Sequence, residues 1–391
     1  SILGGIIGHE GSESLLQDLK QRGLATSLSA GPQRIGKQGF FSLTLTLTPE
    51  GMAQLNTVLE RTFGMLNYLR SLPEIPTYLI QERQNMAEID LRFRERDDTM
   101  AEARMRASLM QTYPYESLLE STYLLPAPTQ DSIKAVLDRL TPDNVMVLAY
   151  AKDRETDSVE KHYNAEYRVT ALDEGLKQKL AAAQPSPGVG LPAPNPFIPS
   201  DFNLVEVTHA DNVWHEEAEF GDVWLRHDTL FEQPKVALEV VLYNDKNSTS
   251  AKDFVLGNLY ANAVQLAMNP FSYPLNEAGV SVGISSERRG ITLTAGGFSE
   301  KMPALAEFVV PFMTQVQIDG AQFGVIKEQY AMALANFPQS SPLDQAFEAF
   351  REVVREVHFT PGQQAEALDG LGFADLQDYF ARVHRALRVR A

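Results

Sequence analysis
Cysteine is absent from the 391 residues. That excludes disulfides, thiolate nucleophiles and every Cys-ligated metal site. It leaves the compartment open, because a Cys-free chain persists in oxidising or reducing surroundings. Long apolar runs are also missing. Nothing approaches the roughly 18 uninterrupted apolar residues of a membrane span, and the longest clusters, such as "ALAEFVVPFM" (304–313), are of core-helix length. Positive charge is scarce: 34 Lys and Arg stand against 51 Asp and Glu, a net charge of −17. No basic patch for nucleic acid or an anionic membrane is expected from such a balance. It fits a soluble protein whose ligands are neutral or basic.

The common catalytic templates are absent as well. There is no Walker loop, no dinucleotide fingerprint and no GxSxG elbow, and "GGIIGHEG" has the wrong glycine spacing to cradle a phosphate. The seven histidines are His9, His162, His209, His215, His227, His358 and His384. A helix-borne zinc site needs two His at i, i+4 with an acid close by, and no pair has that spacing. "VWHEEAEF" (213–220) is neither HExxH nor HxxEH and reads as a solvated face. His209 and His215 are six apart, which suits no single helix. "WLRHD" pairs His227 with Asp228 but has no nucleophile beside it. "RFRERDD" (92–98) reads as a mixed-charge run on a helix, and "SERRG" (286–290) as a basic turn between strands.

What is present is a repeated grammar. "SILGGIIG" opens as an apolar, strand-like run with no Met or leader, so an upstream partner strand is expected and the chain reads as a piece of a longer one. "SESLLQDLKQRG" is a short helix with Gly23 as its stop. "FSLTLTLT" (41–48) alternates as a half-buried strand. Thr48 and Pro49 start a helix to about Ser71. Further helices are expected at about 74–95, 98–112 and 129–140, and "NVMVLAYAK" (144–152) as a closing strand. Residues 174–203 are rich in Pro, Gly and Ala and read as a linker, with "NPFIPSDF" laid along a surface. After it, "VWLRHD" and "KVALEVVLYND" are strands and "AKDFVLGNLYANAVQLAM" a helix.

"LKQRGLATSLSAG" then matches "LNEAGVSVGISSE", "GFFSLTLTLTPEGMAQL" matches "GITLTAGGFSEKMPAL", and "LIQERQNM" matches "VIKEQYAM". A duplication this long reads as two homologous α+β domains rather than a solenoid. Each would be a mostly antiparallel sheet packed against several helices. The expected boundaries are 1–173, a linker at 174–203, and 204–391.

"IIGHEGSESLLQDLKQRGLATSLSAG" (6–31) resembles the second domain of the insulinase/pitrilysin (M16) zinc metallopeptidase family. "NPFIPSDFNLV", "LRHDTLFEQPKVALEVVLYND" and "LNEAGVSVGISSERRGITLTAGGFSEKMPAL" resemble its third domain. The linker and its flanks match the protease III-like branch best.

The resemblance implies a four-domain peptidase whose halves close around a peptide. Zinc sits there on an inverted HxxEH helix in the first domain. This chain has no HxxEH, so it would be a non-catalytic middle portion that binds no metal itself. Domains one and four of the parent would be its partners and peptides its substrates, with a periplasmic location. The family receives peptide on an exposed strand of domain two by strand addition. Carried over by position, the substrate-binding residues are Leu28, Ser29 and Ala30, with His9 and Gly11 in the neighbouring turn. Many members have Gly-Gly where this chain has Ala30-Gly31, and a methyl there narrows backbone approach. The plainer reading of "GHEG" is a tight strand-to-helix turn. Rival functions are a non-catalytic homologue serving as a structural or peptide-binding subunit, and a PQQ-biosynthesis peptidase of the same clan.

Overall fold
The computed structural model describes residues 2–36, 38–95, 98–124, 126–152, 154–206, 213–219, 221–228, 230–244, 249–315, 317–383 and 388–390. The chain divides into two compact units, Ser1–Pro194 and Asn195–Ala391. Both mix helices with antiparallel strands, so the architecture is α+β.

Unit 1 runs α1 (Ile2–Ile7), α2 (Leu15–Gln21), β1 (Ala25–Ile35), β2 (Gln38–Leu47), α3 (Pro49–Ala53), α4 (Leu55–Ser71), α5 (Thr77–Arg92), α6 (Thr99–Leu109), α7 (Glu120–Tyr123), α8 (Gln130–Leu137), the short pair β3 (Ser158–Val159) and β4 (Glu166–Tyr167), and α9 (Glu174–Ala182). β1 and β2 form an antiparallel hairpin, with Leu28 opposite Leu45 and Ala30 opposite Leu43. Their apolar face joins a core that includes Ile7, Leu15, Leu16, Leu19, Met65 and Leu69.

Five expectations fail in this unit. "ILGGII" is the helix α1, not a strand. A six-residue apolar run does not reveal its period. As a helix it buries Leu3, Ile6 and Ile7, while Gly4 and Gly8 let it lie directly on β1. The helix from Pro49 is two helices, broken at Gln54. Among the described residues "NVMVLAYAK" forms no ladder, and Met146 and Tyr150 stand 79% and 83% exposed. Residues 174–182 of the expected linker are the helix α9. Asp173 caps it, and its Leu180 is fully buried. The prolines that forbid a helix begin only at Pro185. The charged run at 92–98 is not the single helix expected: α5 ends at Arg92, residues 93–95 are not helical and Asp98 caps α6. Arg96 and Asp97 lie outside the described residues. Arg94 in this connection pairs with Glu102 of α6.

The rest of the linker is fastened down. Arg61 and the Ser186 hydroxyl both donate to Asp18, the first at 3.0 Å, and Asp18 is itself buried. Asn67 donates to the carbonyls of Leu180 and Ala183 that end α9, and the Gly190 N–H donates to the Glu13 carbonyl at 3.0 Å.

Unit 2 runs β5 (Val213–Ala218), β6 (Gly221–Arg226), β7 (Lys235–Tyr243), α10 (Ala251–Glu277), β8 (Ser281–Glu287), β9 (Gly290–Phe298), α11 (Met302–Thr314), α12 (Gly320–Asn336), α13 (Pro342–Val354), α14 (Pro361–Asp369), α15 (Phe373–Val383) and β10 (Arg388–Arg390). Its six-stranded sheet has the order β5-β6-β10-β7-β9-β8. β7 sits inside it, antiparallel to both β9 and β10. α10 carries the centre of the core, with Val255, Leu259, Tyr260 and Val264 fully buried. It continues through Pro270 and Pro274.

"NPFIPSDF" is laid on this unit. Phe197 enters the core beside Phe308, ring centres 5.5 Å apart. The backbone N–H groups of Ser200 and Asp201 both donate to Glu300, at 2.7 and 2.9 Å. Burial pushes the Glu300 carboxyl up, but those two N–H groups, Lys301 and the Ser200 hydroxyl outweigh it and hold the pKa at about 2.

Candidate functional site
The opening stretch forms a loop-and-edge arrangement in unit 1. α1 closes with the Gly8 N–H donating to the Gly4 carbonyl. The chain then turns through His9, Glu10 and Gly11 into α2, whose first turn is capped by the Ser14 hydroxyl accepting from the Gln17 N–H at 3.1 Å. The His9 ring folds back over Gly11, and its Nδ1 accepts the Gly11 N–H at 2.9 Å. A methyl on Gly11 would collide with that ring. Glycine at this position therefore leaves the room in which the ring folds back. Burial lowers the His9 pKa, which keeps Nδ1 unprotonated and able to accept. Glu10 points to the surface, 3.7 Å from Lys20.

α2 ends where Gly23 adopts φ +67°. The N–H groups of Gly23 and Leu24 return to the carbonyls of Lys20 and Leu19, a left-handed helix stop. β1 starts two residues later. Leu28 is buried in the core and Ser29 is exposed, with Ala30 and Gly31 half-buried. Among the described residues β1 pairs with β2 only, so its other edge has no strand on it. The turn and the strand meet at Ala30. A Cβ on Gly4 would stand 2.8 Å from the Ala30 carbonyl oxygen, and one on Gly8 3.3 Å from the Ala30 nitrogen. The fold thus brings His9, Gly11 and Ala30 into one neighbourhood, with Leu28 and Ser29 on the strand beside it. Leu28 has its side chain in the core, so only its backbone is available to a ligand.

The other histidines have separate surroundings. His215 on β5 stacks on Trp224 of β6 at 4.0 Å, with its Nε2 3.5 Å from Asp222. Asp228, next to His227, accepts the N–H groups of Leu230 and Phe231 in its own turn. His358 meets Glu348 at 2.6 Å, a contact between α13 and the loop after it that no sequence spacing advertised. His209 and His384 lie outside the described residues. No group of three His, Asp or Glu able to hold a metal ion occurs among the described residues. The residues present there do not fit a zinc ion. No described helix is long and apolar enough to cross a membrane.

Two family descriptions match the chain. Residues 1–85 match the peptidase M16 inactive domain, and residues 91–367 match the middle or third domain of peptidase M16. Human insulin-degrading enzyme is 28% identical over 397 residues, covering all of this chain and 39% of that protein. The yeast (Saccharomyces cerevisiae) A-factor-processing enzyme is 24% identical over 393 residues, covering 99% of this chain and 38% of that protein. The solved structure of pitrilysin superposes with a TM-score of 0.84 at 21% identity, covering all of this chain and 42% of that one. The chain spans about two-fifths of the length of the curated relatives it matches.

Proposed function
The chain belongs to the M16 peptidase family, and from that premise we propose that it is the non-catalytic middle portion of a zinc-dependent metalloendopeptidase, lining the substrate chamber and docking peptide on the outer edge of β1. The zinc and its HxxEH helix belong, on this reading, to another part of the polypeptide. Peptides are the substrates, and the remaining M16 domains are the partners. A periplasmic location comes with the protease III-like resemblance.

The observation that carries the docking role is the edge of β1 beside the His9–Gly11 turn, which carries no strand among the described residues. An edge strand offers N–H and C=O groups to an extended peptide largely regardless of its side chains. Ser29 supplies an exposed position there, while Leu28 anchors the strand from beneath. The inward side chains thus hold the strand still, and the backbone does the binding. A net charge of −17 favours basic peptides in the encounter. Ser29→Pro removes a ladder donor. Peptide affinity by calorimetry is expected to fall at least about tenfold with the circular dichroism spectrum kept. Unchanged affinity in a folded variant overturns the docking role.

A further inference from the structure
We propose that the outer edge of β8 is a second peptide-docking edge, in unit 2, and that it takes an extended segment running antiparallel to β8 whose N-terminal end is acidic. This edge does not depend on the docking role given to β1.

β8 closes one end of the six-stranded sheet and β5 closes the other. The two ends differ in kind. β5 carries Glu216 and Glu217 in succession, both exposed, and charge of that sort blunts an edge against further pairing. β8, "SVGISSE", has no Pro, no Lys and no charge before Glu287. Its register against β9 is unbroken from Ser281 opposite Gly296 to Glu287 opposite Gly290, so no bulge twists it away. Among the described residues no strand lies on its other side. Every second residue of such a strand turns its N–H and C=O away from the partner it already has.

β8 is also built as β1 is. The sequence match sets Gly23 beside Gly279, and their φ angles are +67° and +69°. The N–H groups of Gly279 and Val280 return to the carbonyls of Asn276 and Leu275, as those of Gly23 and Leu24 do to Lys20 and Leu19. Ile284 then packs on the core as Leu28 does, and Ser285 is exposed as Ser29 is. Ser281, Gly283 and Ser285 are all small, so the outward face leaves room for larger side chains on an added strand.

The selection comes from the turn. β8 passes to β9 through Arg288 and Arg289, both exposed. Tight hairpin turns favour Gly, Asn and Asp, so the turn itself does not ask for two arginines. Even with Glu287 beside them they leave this end of the hairpin net positive, on a chain of net charge −17. Antiparallel pairing is the more stable mode per residue. A segment added that way begins opposite Glu287, so its first residues meet the two guanidinium groups, whose natural partners are carboxylates.

The test uses the whole 391-residue chain and the synthetic peptide DDVTVTV, blocked at both ends. Amide hydrogen exchange with saturating peptide is expected to slow β8 by at least about tenfold, in the unsubstituted chain and in Ser29→Pro alike. Calorimetry is expected to find DDVTVTV at least about tenfold tighter than VTVTVDD or KKVTVTV. Arg288→Glu together with Arg289→Glu, a change confined to an exposed turn, is expected to reverse the order of DDVTVTV and KKVTVTV. N-methylation of alternate peptide residues is expected to abolish binding in one frame and spare it in the other. Slowing of β1 alone, lost in Ser29→Pro, overturns the β8 edge and leaves the β1 docking role standing. Binding that survives both methylated frames overturns strand addition. A preference for VTVTVDD overturns the antiparallel direction, and indifference to the double charge reversal overturns the acidic selection. Slowing of β8 that rises with protein concentration in the absence of peptide makes a second copy the occupant and overturns the assignment to a peptide.

Discussion
The two units use the same succession of elements and hold them differently. In unit 2, β7 is enclosed by β9 and β10, and one helix, α10, spans the core. In unit 1, β2 pairs with β1 alone among the described residues, and the helix is split into α1 and α2 around the His9–Gly11 turn. The connector is also gripped by different chemistry on each side. Unit 1 holds it through buried Asp18 with Arg61 and Ser186, and unit 2 through Glu300 and two backbone N–H groups. A repeat conserves the order of elements, while local packing decides how much each element can be changed.

The sharpest break in that comparison is between a glycine that opens β9 against β7 and one at the exposed start of β2. Gly290→Ala is expected to cost about 3 kcal/mol or more. The methyl meets the β7 backbone, and the native φ is +139°. Gly39→Ala is expected to stay within about 0.5 kcal/mol, as an exposed change does. Urea unfolding of both variants checks this, and equal costs would show that β2 is already hemmed in.

Next in size is Asp18→Asn. It leaves the half-buried Arg61 without its charge partner and should cost about 3 kcal/mol. It should also release the segment around Ser186 to limited proteolysis while the segment around Ser200 stays protected. Release of both would mean that the two grips act as one.

Glu300 gives a pH signature confined to unit 2. Its folded pKa of about 2 lies below the ordinary 4.5. Its contribution is therefore fully present above pH 4.5 and is lost as pH falls towards 2. Glu300→Gln should flatten that part of an acid-unfolding curve.

The smallest effect is local to the split helix. Burial lowers the folded pKa of His9 below 6.5. The bond from the Gly11 N–H is therefore intact above pH 6.5 and is lost as pH falls through the lowered value. Nuclear magnetic resonance of the Gly11 amide should report this, and Gly11→Ala should abolish the transition by displacing the ring.

Much of the fold is legible in the residues. Gly23 stops α2, Thr48 and Pro49 start α3, and the alternation at 41–48 is β2. Each is a local rule satisfied within one turn or one pleat, so sequence suffices. The candidate site is legible only in part. "GHEG" marks the turn, and "SLSA" lies on a strand that ends its sheet. That the His9 ring lies over Gly11, and that Gly8 rests against Ala30, follows from α1 crossing β1, which no periodicity encodes. Glu348 with His358 went unseen for the same reason, because a ten-residue separation between helix and loop leaves no pattern.

The sequence by itself therefore determined the absence of thiol chemistry, the acidic balance, the capping and stop signals, and the repeat that pairs the two units. Tertiary structure decided the rest. A short apolar run has no period of its own, so burial of Leu3, Ile6 and Ile7 against β1 made α1 a helix. A Pro- and Ala-rich stretch has no fixed path, so Leu180, Ser186 and Phe197 fixed the connector by the pockets and partners they found. Whether "NVMVLAY" is a strand depends on a neighbour to hydrogen-bond with, and a ladder is a property of two segments rather than one.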